Sequence, residues 1–206
     1  TSLQNLYDSF KEWFEEEECS TRMPDKKTFK EALLKWQAAS SYGLSISKKK
    51  SDKKIKWSDI RWYADLAANV YKSPEKINAA YKKDFKIYTN EINEIRYIVL
   101  TDTSTKSHYV SIRGTCNSHN AMQDINFFKD KSKRLGIYLH TGFHRTSEMI
   151  ADDLLSRLNK NYKVCVTGHS LGGADAVIVS WYLDYANFNV KECITFGQPK
   201  VTDSHG

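Results

Sequence analysis

The sequence predicts an α/β fold in which a mostly parallel sheet is covered by helices and preceded by an N-terminal helical extension. Three observations predict it. The apolar run Val164-Cys165-Val166 leads straight into Gly168-His169-Ser170-Leu171-Gly172 and then into the helical stretch Ala174 to Leu183, so strand, sharp turn and helix follow without a linker. Strand-like and helix-like segments alternate through the second half of the chain, the pattern of a parallel sheet with both faces covered. At 206 residues and 40% hydrophobic content, the chain suffices for one sizeable domain with room for an appendage.

The appendage comes first. Leu6, Phe10, Trp13 and Phe14 recur at helical spacing before the acidic run Glu15 to Glu18, and Lys30 to Ala39 reads as a second helix around Leu33, Leu34 and Trp36. Lys48, Lys49, Lys50, Lys53, Lys54 and Lys56, against Asp52, then form a basic block. Such a block is either a solvated linker or a segment drawn to anionic lipid. Residues 1–56 are therefore expected to be a helical extension with a lysine-rich linker at 48–56, and residues 57–206 the main domain.

Within that domain Ile60, Tyr63, Ala64, Ala67, Val70 and Tyr71 mark an amphipathic helix that ends before Ser73-Pro74. Ile95 to Thr101 and His108 to Arg113 are β-branched runs joined by a polar turn, which predicts a hairpin. Met149 to Leu158 reads as a helix, Lys163 to Thr167 as the strand entering the turn, and Cys193 to Phe196 as the strand after the next helix.

The turn carries the chemistry. A serine between Gly168 and Gly172 stands at the tip of a bend too sharp for bulkier neighbours, because the glycines let strand and helix pass closely. A serine hydroxyl is a poor nucleophile by itself, so Ser170 requires a histidine to take its proton and an acid to orient that histidine. Leu171 opens the helix, where backbone N–H groups and the helix dipole favour a developing oxyanion. His169 diverges from Ser170 at such a bend and is expected to pack rather than act as base.

Four stretches together resemble the class 3 lipases, the fungal-type triacylglycerol lipase family. They are Tyr109-Val110-Ser111-Ile112-Arg113-Gly114-Thr115, His140-Thr141-Gly142-Phe143, Gly168-His169-Ser170-Leu171-Gly172-Gly173-Ala174 and Thr195-Phe196-Gly197-Gln198-Pro199-Lys200-Val201, in the family's order and at similar spacing. The resemblance covers about residues 57–206 and implies an α/β-hydrolase acting on lipid esters, tri-, di- or monoacylglycerols foremost, through an acyl-serine at Ser170 and without metal or cofactor. It implies Thr115 as the oxyanion donor beside Leu171, and Asp124, together with Asn120, as a brace for the oxyanion loop. Between Cys116 and Leu135, where Met122, Ile125, Phe127 and Phe128 stand on a polar background, it implies a lid over the pocket. An ordinary packing helix is the alternative there.

The family's acid and histidine lie further along than this chain runs, since 36 residues follow Ser170. Asp175, Asp184, Glu192, Asp203 and His205 are the groups available after the turn. Asp175 falls in the first helical turn, where a carboxylate suits the dipole, and Asp203 and His205 sit at the chain end. The expectation is accordingly a fold whose C-terminal part is absent, with acid and base supplied by a second segment such as a C-terminal fragment of the same polypeptide. A catalytically silent lipid-binding module is the competing expectation, and feruloyl esterases share the fold and motif.

Composition bounds the rest. The net charge of +6 is accompanied by no nucleic-acid-binding motif, so no nucleic-acid partner is expected. No stretch of 18 apolar residues occurs, and a lipid or membrane surface is expected to be approached from outside, through the lysine block and the lid. Secretion or association with a membrane surface is the favoured location. Cys19, Cys116, Cys165 and Cys193 show no metal spacing, and Cys165 and Cys193, inside predicted strands, read as free buried thiols.

Overall fold

The computed structural model describes residues 57–114, 129–199 and 201. The predicted extension helices, the lysine block, Thr115, Asn120, Asp124, the lid segment up to Phe128, Asp203, His205, Cys19 and Cys116 lie outside the described residues. The chain divides into two compact units, Thr1–Arg61 and Trp62–Gly206.

Helix α1 (Trp57–Asn69) is followed by α2 (Pro74–Tyr81), β1 (Lys86–Ile92), β2 (Ile95–Asp102) and β3 (Ser107–Ile112). After the undescribed segment come β4 (Lys129–Lys131), β5 (Tyr138–His140), α3 (Thr141–Arg157), β6 (Lys163–His169), α4 (Leu171–Tyr185) and β7 (Asn189–Phe196). The main sheet has the order β1-β2-β3-β6-β7, and β4 and β5 form a separate two-stranded sheet. The part of the sheet that carries the Gly-x-Ser-x-Gly turn is parallel, β6 lying between β3 and β7, while β1 and β2 pair antiparallel at the other edge.

Alternation along the strands assigns each side chain to a face. Tyr97, Val99, Val110, Ile112, Val164 and Val166 point to one face, where Ile150 and Leu154 of α3 and Ala176, Val179 and Leu183 of α4 complete an apolar core. Residues one position out of phase, Ser111 and Thr167, face α1 and bond its backbone: the Ser111 hydroxyl donates to Leu66 O at 3.1 Å and the Thr167 hydroxyl to Tyr63 O at 3.4 Å. The sheet is thus covered on both faces, as an α/β-hydrolase sheet must be when its central strands carry apolar side chains on alternate sides.

The hairpin expected from residues 95 to 113 is present as β2–β3, and the carboxylate of Asp102 shapes its turn by accepting from the Ser104 and Thr105 amides at 2.8 and 3.1 Å. The helix expected from Met149 begins earlier, at Thr141, and the helix beginning at Trp57 ends at Asn69 rather than at the proline. Ser73-Pro74 instead starts the next helix: Ser73 accepts from the Lys76 amide at 3.4 Å and Pro74 occupies the first helical turn. Cys165 and Cys193 are free thiols, both pushed up by burial, to about 11 and about 12. Among the described residues no helix is long and apolar enough to cross a membrane.

Candidate active site

Three strand ends converge on Ser170. In the parallel registers Gly168 pairs with Ile112 on one side and Thr195 on the other, and His169 with Phe196, so β3, β6 and β7 all run out at the same level. Open α/β sheets bind ligands at the carboxyl ends of their parallel strands. Ser170 follows β6 directly, its N–H donating to Phe196 O at 2.9 Å, while its own carbonyl accepts from the Gly173 and Ala174 amides at 3.0 and 3.3 Å to begin α4.

The serine adopts φ 54 and ψ −126, a conformation that side chains rarely tolerate, and only 6% of it is exposed. Its neighbours make the bend possible. A Cβ on Gly168 would meet Gly172 O at 2.3 Å, and one on Gly172 would meet Ile112 O at 2.3 Å and Gly114 N at 2.6 Å. Backbone therefore touches backbone at both positions. The second contact presses the start of α4 against the loop that leaves β3, the loop from which residue 115 follows.

Gly114 is held there by Tyr71. The Gly114 N–H donates to the Tyr71 hydroxyl at 2.9 Å, and the same hydroxyl stands 3.4 Å from Nδ1 of His169, whose ring meets the tyrosine ring edge-on. A hydroxyl that accepts from an amide keeps its own proton to offer, and His169 receives it in the tautomer protonated at Nε2. Burial pushes the His169 pKa down to about 4, so the ring is neutral near pH 7 and bridges turn and tyrosine as a packed polar group. Tyr71 was legible only as one apolar position of an amphipathic helix; its link to residues 114 and 169 has no local sequence signal.

Asp175 departs from expectation. Its carboxyl is not an exposed partner of the helix dipole: it is 3% exposed, accepts from the Ser147 hydroxyl at 2.7 Å, and is pushed up to about 7 by burial. The buried hydroxyl of Ser147 on α3 outweighs the dipole reading because α3 and α4 pack side by side over this stretch. Among the described residues no hydrogen bond joins the Ser170 hydroxyl to a histidine, and no group of His, Cys, Asp and Glu could hold a metal ion. His140 stands at the N-cap position of α3 without a side-chain cap bond, its Nδ1 enclosed, and His108 is engaged at the far end of β3 with Thr101 and Asn159.

The sequence model of the family described as lipase (class 3) matches residues 109–205, a span that includes most of β3, both glycine contacts and Ser170. Over that span the chain is similar to the class 3 lipase family. It is 34% identical over 110 residues to the secreted mono- and diacylglycerol lipase 1 of Fusarium solani, a match covering 50% of this chain and 33% of that protein. The fold is similar to that of lipase II from Rhizopus niveus, with a TM-score of 0.59 and 26% identity over 73% of this chain and 66% of that one. A triacylglycerol lipase described as having a serine protease triad for its catalytic centre aligns at a TM-score of 0.61 and 26% identity, covering 74% of this chain and 67% of that chain. The chain thus spans about a third of the curated relative and about two thirds of these solved lipase structures.

Proposed function

We propose that this chain, similar to the class 3 lipases over residues 109–205, hydrolyses carboxylic esters of lipids, acylglycerols foremost, with Ser170 as the nucleophile. The observation that carries the reading is the strained, glycine-flanked Ser170 at the junction of β6 and α4, level with the ends of β3 and β7. In the proposed reaction Ser170 Oγ attacks the ester carbonyl carbon and gives its proton to a base. The carbonyl oxygen, now an oxyanion, takes hydrogen bonds from the Leu171 N–H at the helix start and from Thr115. Collapse breaks the bond to the alcohol, which leaves with the proton from the base, and water then repeats the sequence on the acyl-serine to release the acid.

Leu171 suits the first role because it is the first residue of α4. Thr115 suits the second because its neighbour Gly114 is wedged against Gly172 and tied to Tyr71. Gly168 and Gly172 serve as spacers, and Asp124 is assigned to bracing the loop that carries Thr115. The base and its acid are assigned to residues outside those described. The F. solani relative is named as secreted, which favours an extracellular setting for this chain, and the relatives' names favour acylglycerol over polysaccharide-linked esters.

Hydrolysis of p-nitrophenyl butyrate by the protein, beside Ser170→Ala, tests the reading. Turnover abolished by the substitution supports it; turnover unchanged by it contradicts it, and turnover absent both from this chain and from a chain extended past Gly206 leaves the silent lipid-binding module as the better reading.

A further inference from the structure

The β4–β5 hairpin pairs Lys129 with His140, Asp130 with Leu139 and Lys131 with Tyr138. Its two faces differ most on β5, where Leu139 is buried and Tyr138 exposed, while His140, opposite Lys129, is half-buried. Leu139 is fully buried in a cluster with Phe143, Leu171 and Val201, and its cross-strand partner Asp130 reaches Nδ1 of His144 at 3.3 Å. This inner face therefore lies against the residue that follows Ser170. The other face carries Lys129, Lys131 and Tyr138, all exposed, the tyrosine by 51%, with the Lys131 ammonium 5.8 Å from the Tyr138 ring centre. Lys133 continues the charge in the exposed turn.

The charges are sorted as well as clustered. Arg134, the remaining cation of the segment, is drawn back to Asp152 at 2.6 Å and Glu148 at 3.5 Å, and Asp130, its one carboxylate, turns toward His144 while its side chain stays 51% exposed. A lone two-stranded hairpin is marginally stable in water, yet this one is anchored: buried Ser132 bonds the Tyr182 hydroxyl at 2.9 Å and closes the turn through Ile137 O and the Gly136 amide at 2.9 and 2.8 Å. A fixed scaffold thus presents three lysines and a half-exposed aromatic ring.

We propose that the outer face of the β4–β5 hairpin docks the protein on an anionic lipid surface. The inference rests on the ester-hydrolase reading, since a lipid ester is met at such a surface. Lysines near anionic headgroups contribute about 1 kcal/mol each, and tyrosine is at home at headgroup level because its ring is amphipathic. An acidic polymer would use the lysines but has no place for the exposed ring. Through Leu139 and Leu171, the docked hairpin brings the Ser170 end of the sheet to the surface.

Sedimentation with vesicles of phosphatidylcholine alone and of phosphatidylcholine mixed with phosphatidylglycerol tests this, at low and at physiological ionic strength. The protein should bind the mixed vesicles, and the triple variant Lys129→Gln, Lys131→Gln, Lys133→Gln should bind them roughly a hundredfold more weakly, at about fivefold per lysine. Arg134→Gln, which removes one charge from outside the face, should bind like the parent. Ser170→Ala should also bind like the parent, so that docking and ester hydrolysis are scored apart. Unchanged binding by the triple variant, or complete loss on neutralising Lys48, Lys49, Lys50, Lys53, Lys54 and Lys56 instead, overturns the proposal.

Discussion

Gly172 and Gly114 touch through their backbones: a single methyl group on Gly172 would come within 2.6 Å of the Gly114 amide nitrogen. The contact joins the helix that begins beside Ser170 to the loop that leads to Thr115, so the spacing of the two proposed oxyanion donors depends on it. Gly172→Ala and Gly168→Ala should each destabilise the fold by at least about 3 kcal/mol, because the clash is with backbone that cannot rotate away. Gly142→Ala is the contrast, since nothing lies within 4 Å of a Cβ there and Gly142 is inside α3. It should be neutral or gain up to about 1 kcal/mol. Denaturant melts of the three variants check the order.

Tyr71→Phe keeps the ring against His169 and removes the hydroxyl that receives the Gly114 amide. An enclosed N–H without a partner is costly by about 1 to 3 kcal/mol. The loop should relax, lowering kcat for a soluble ester about tenfold with little change in KM, because the hydroxyl acts through Gly114 and makes no contact with substrate. A change confined to KM would count against this role.

Asp175 yields a pH prediction. Its folded carboxyl is raised to about 7 by burial, above the ordinary value of 3.8. The folded state therefore holds its proton more tightly than the unfolded chain, and stability falls as pH rises from about 4 to about 7. Asp175→Asn can still accept from Ser147 and carries no charge. It should match the parent at pH 4 and exceed it at pH 8, by up to about 4 kcal/mol. Equal stability of the two proteins at pH 8 would show that the buried carboxyl is not penalised.

Asp153 gathers several partners on one carboxylate: Arg157 Nε donates at 2.7 Å, the Tyr88 hydroxyl at 3.2 Å, and the hydroxyl of the fully buried Tyr97 as well. These bonds hold its carboxyl below the usual range despite the opposing effect of burial. Asp153→Ala should lower stability by about 1 to 3 kcal/mol through the stranded tyrosine hydroxyls. Tyr97→Phe, which removes only one donor, should lower it less, and thermal melts give the comparison.

The parts of this molecule that could be read from sequence are those whose cause is local. The strand, Gly-x-Ser-x-Gly bend and helix around Ser170 are dictated by steric needs within a dozen residues, and the β2–β3 hairpin by alternation and a polar turn. Strand β1 escaped because Lys86 to Ile92 is an edge strand whose residues are all partly or fully exposed, which leaves no buried alternation to detect. The early start of α3 escaped because His140-Thr141-Gly142 has no capping side chain. Tyr71 and Asp175 were seen as residues but not as partners, since Gly114 and Ser147 reach them from 43 and 28 positions away. Hydrogen bonds of that span are products of the fold and leave no periodicity behind.

Ser170 is, in the proposed reaction, an activated nucleophile. Treating the protein and its Ser170→Ala variant with a fluorophosphonate, followed by peptide mass spectrometry, reports that property directly. A covalent adduct on the peptide containing Ser170, absent from the variant, is the predicted result. An adduct that forms elsewhere and persists in the variant, or an unmodified Ser170 in the parent protein, would contradict it.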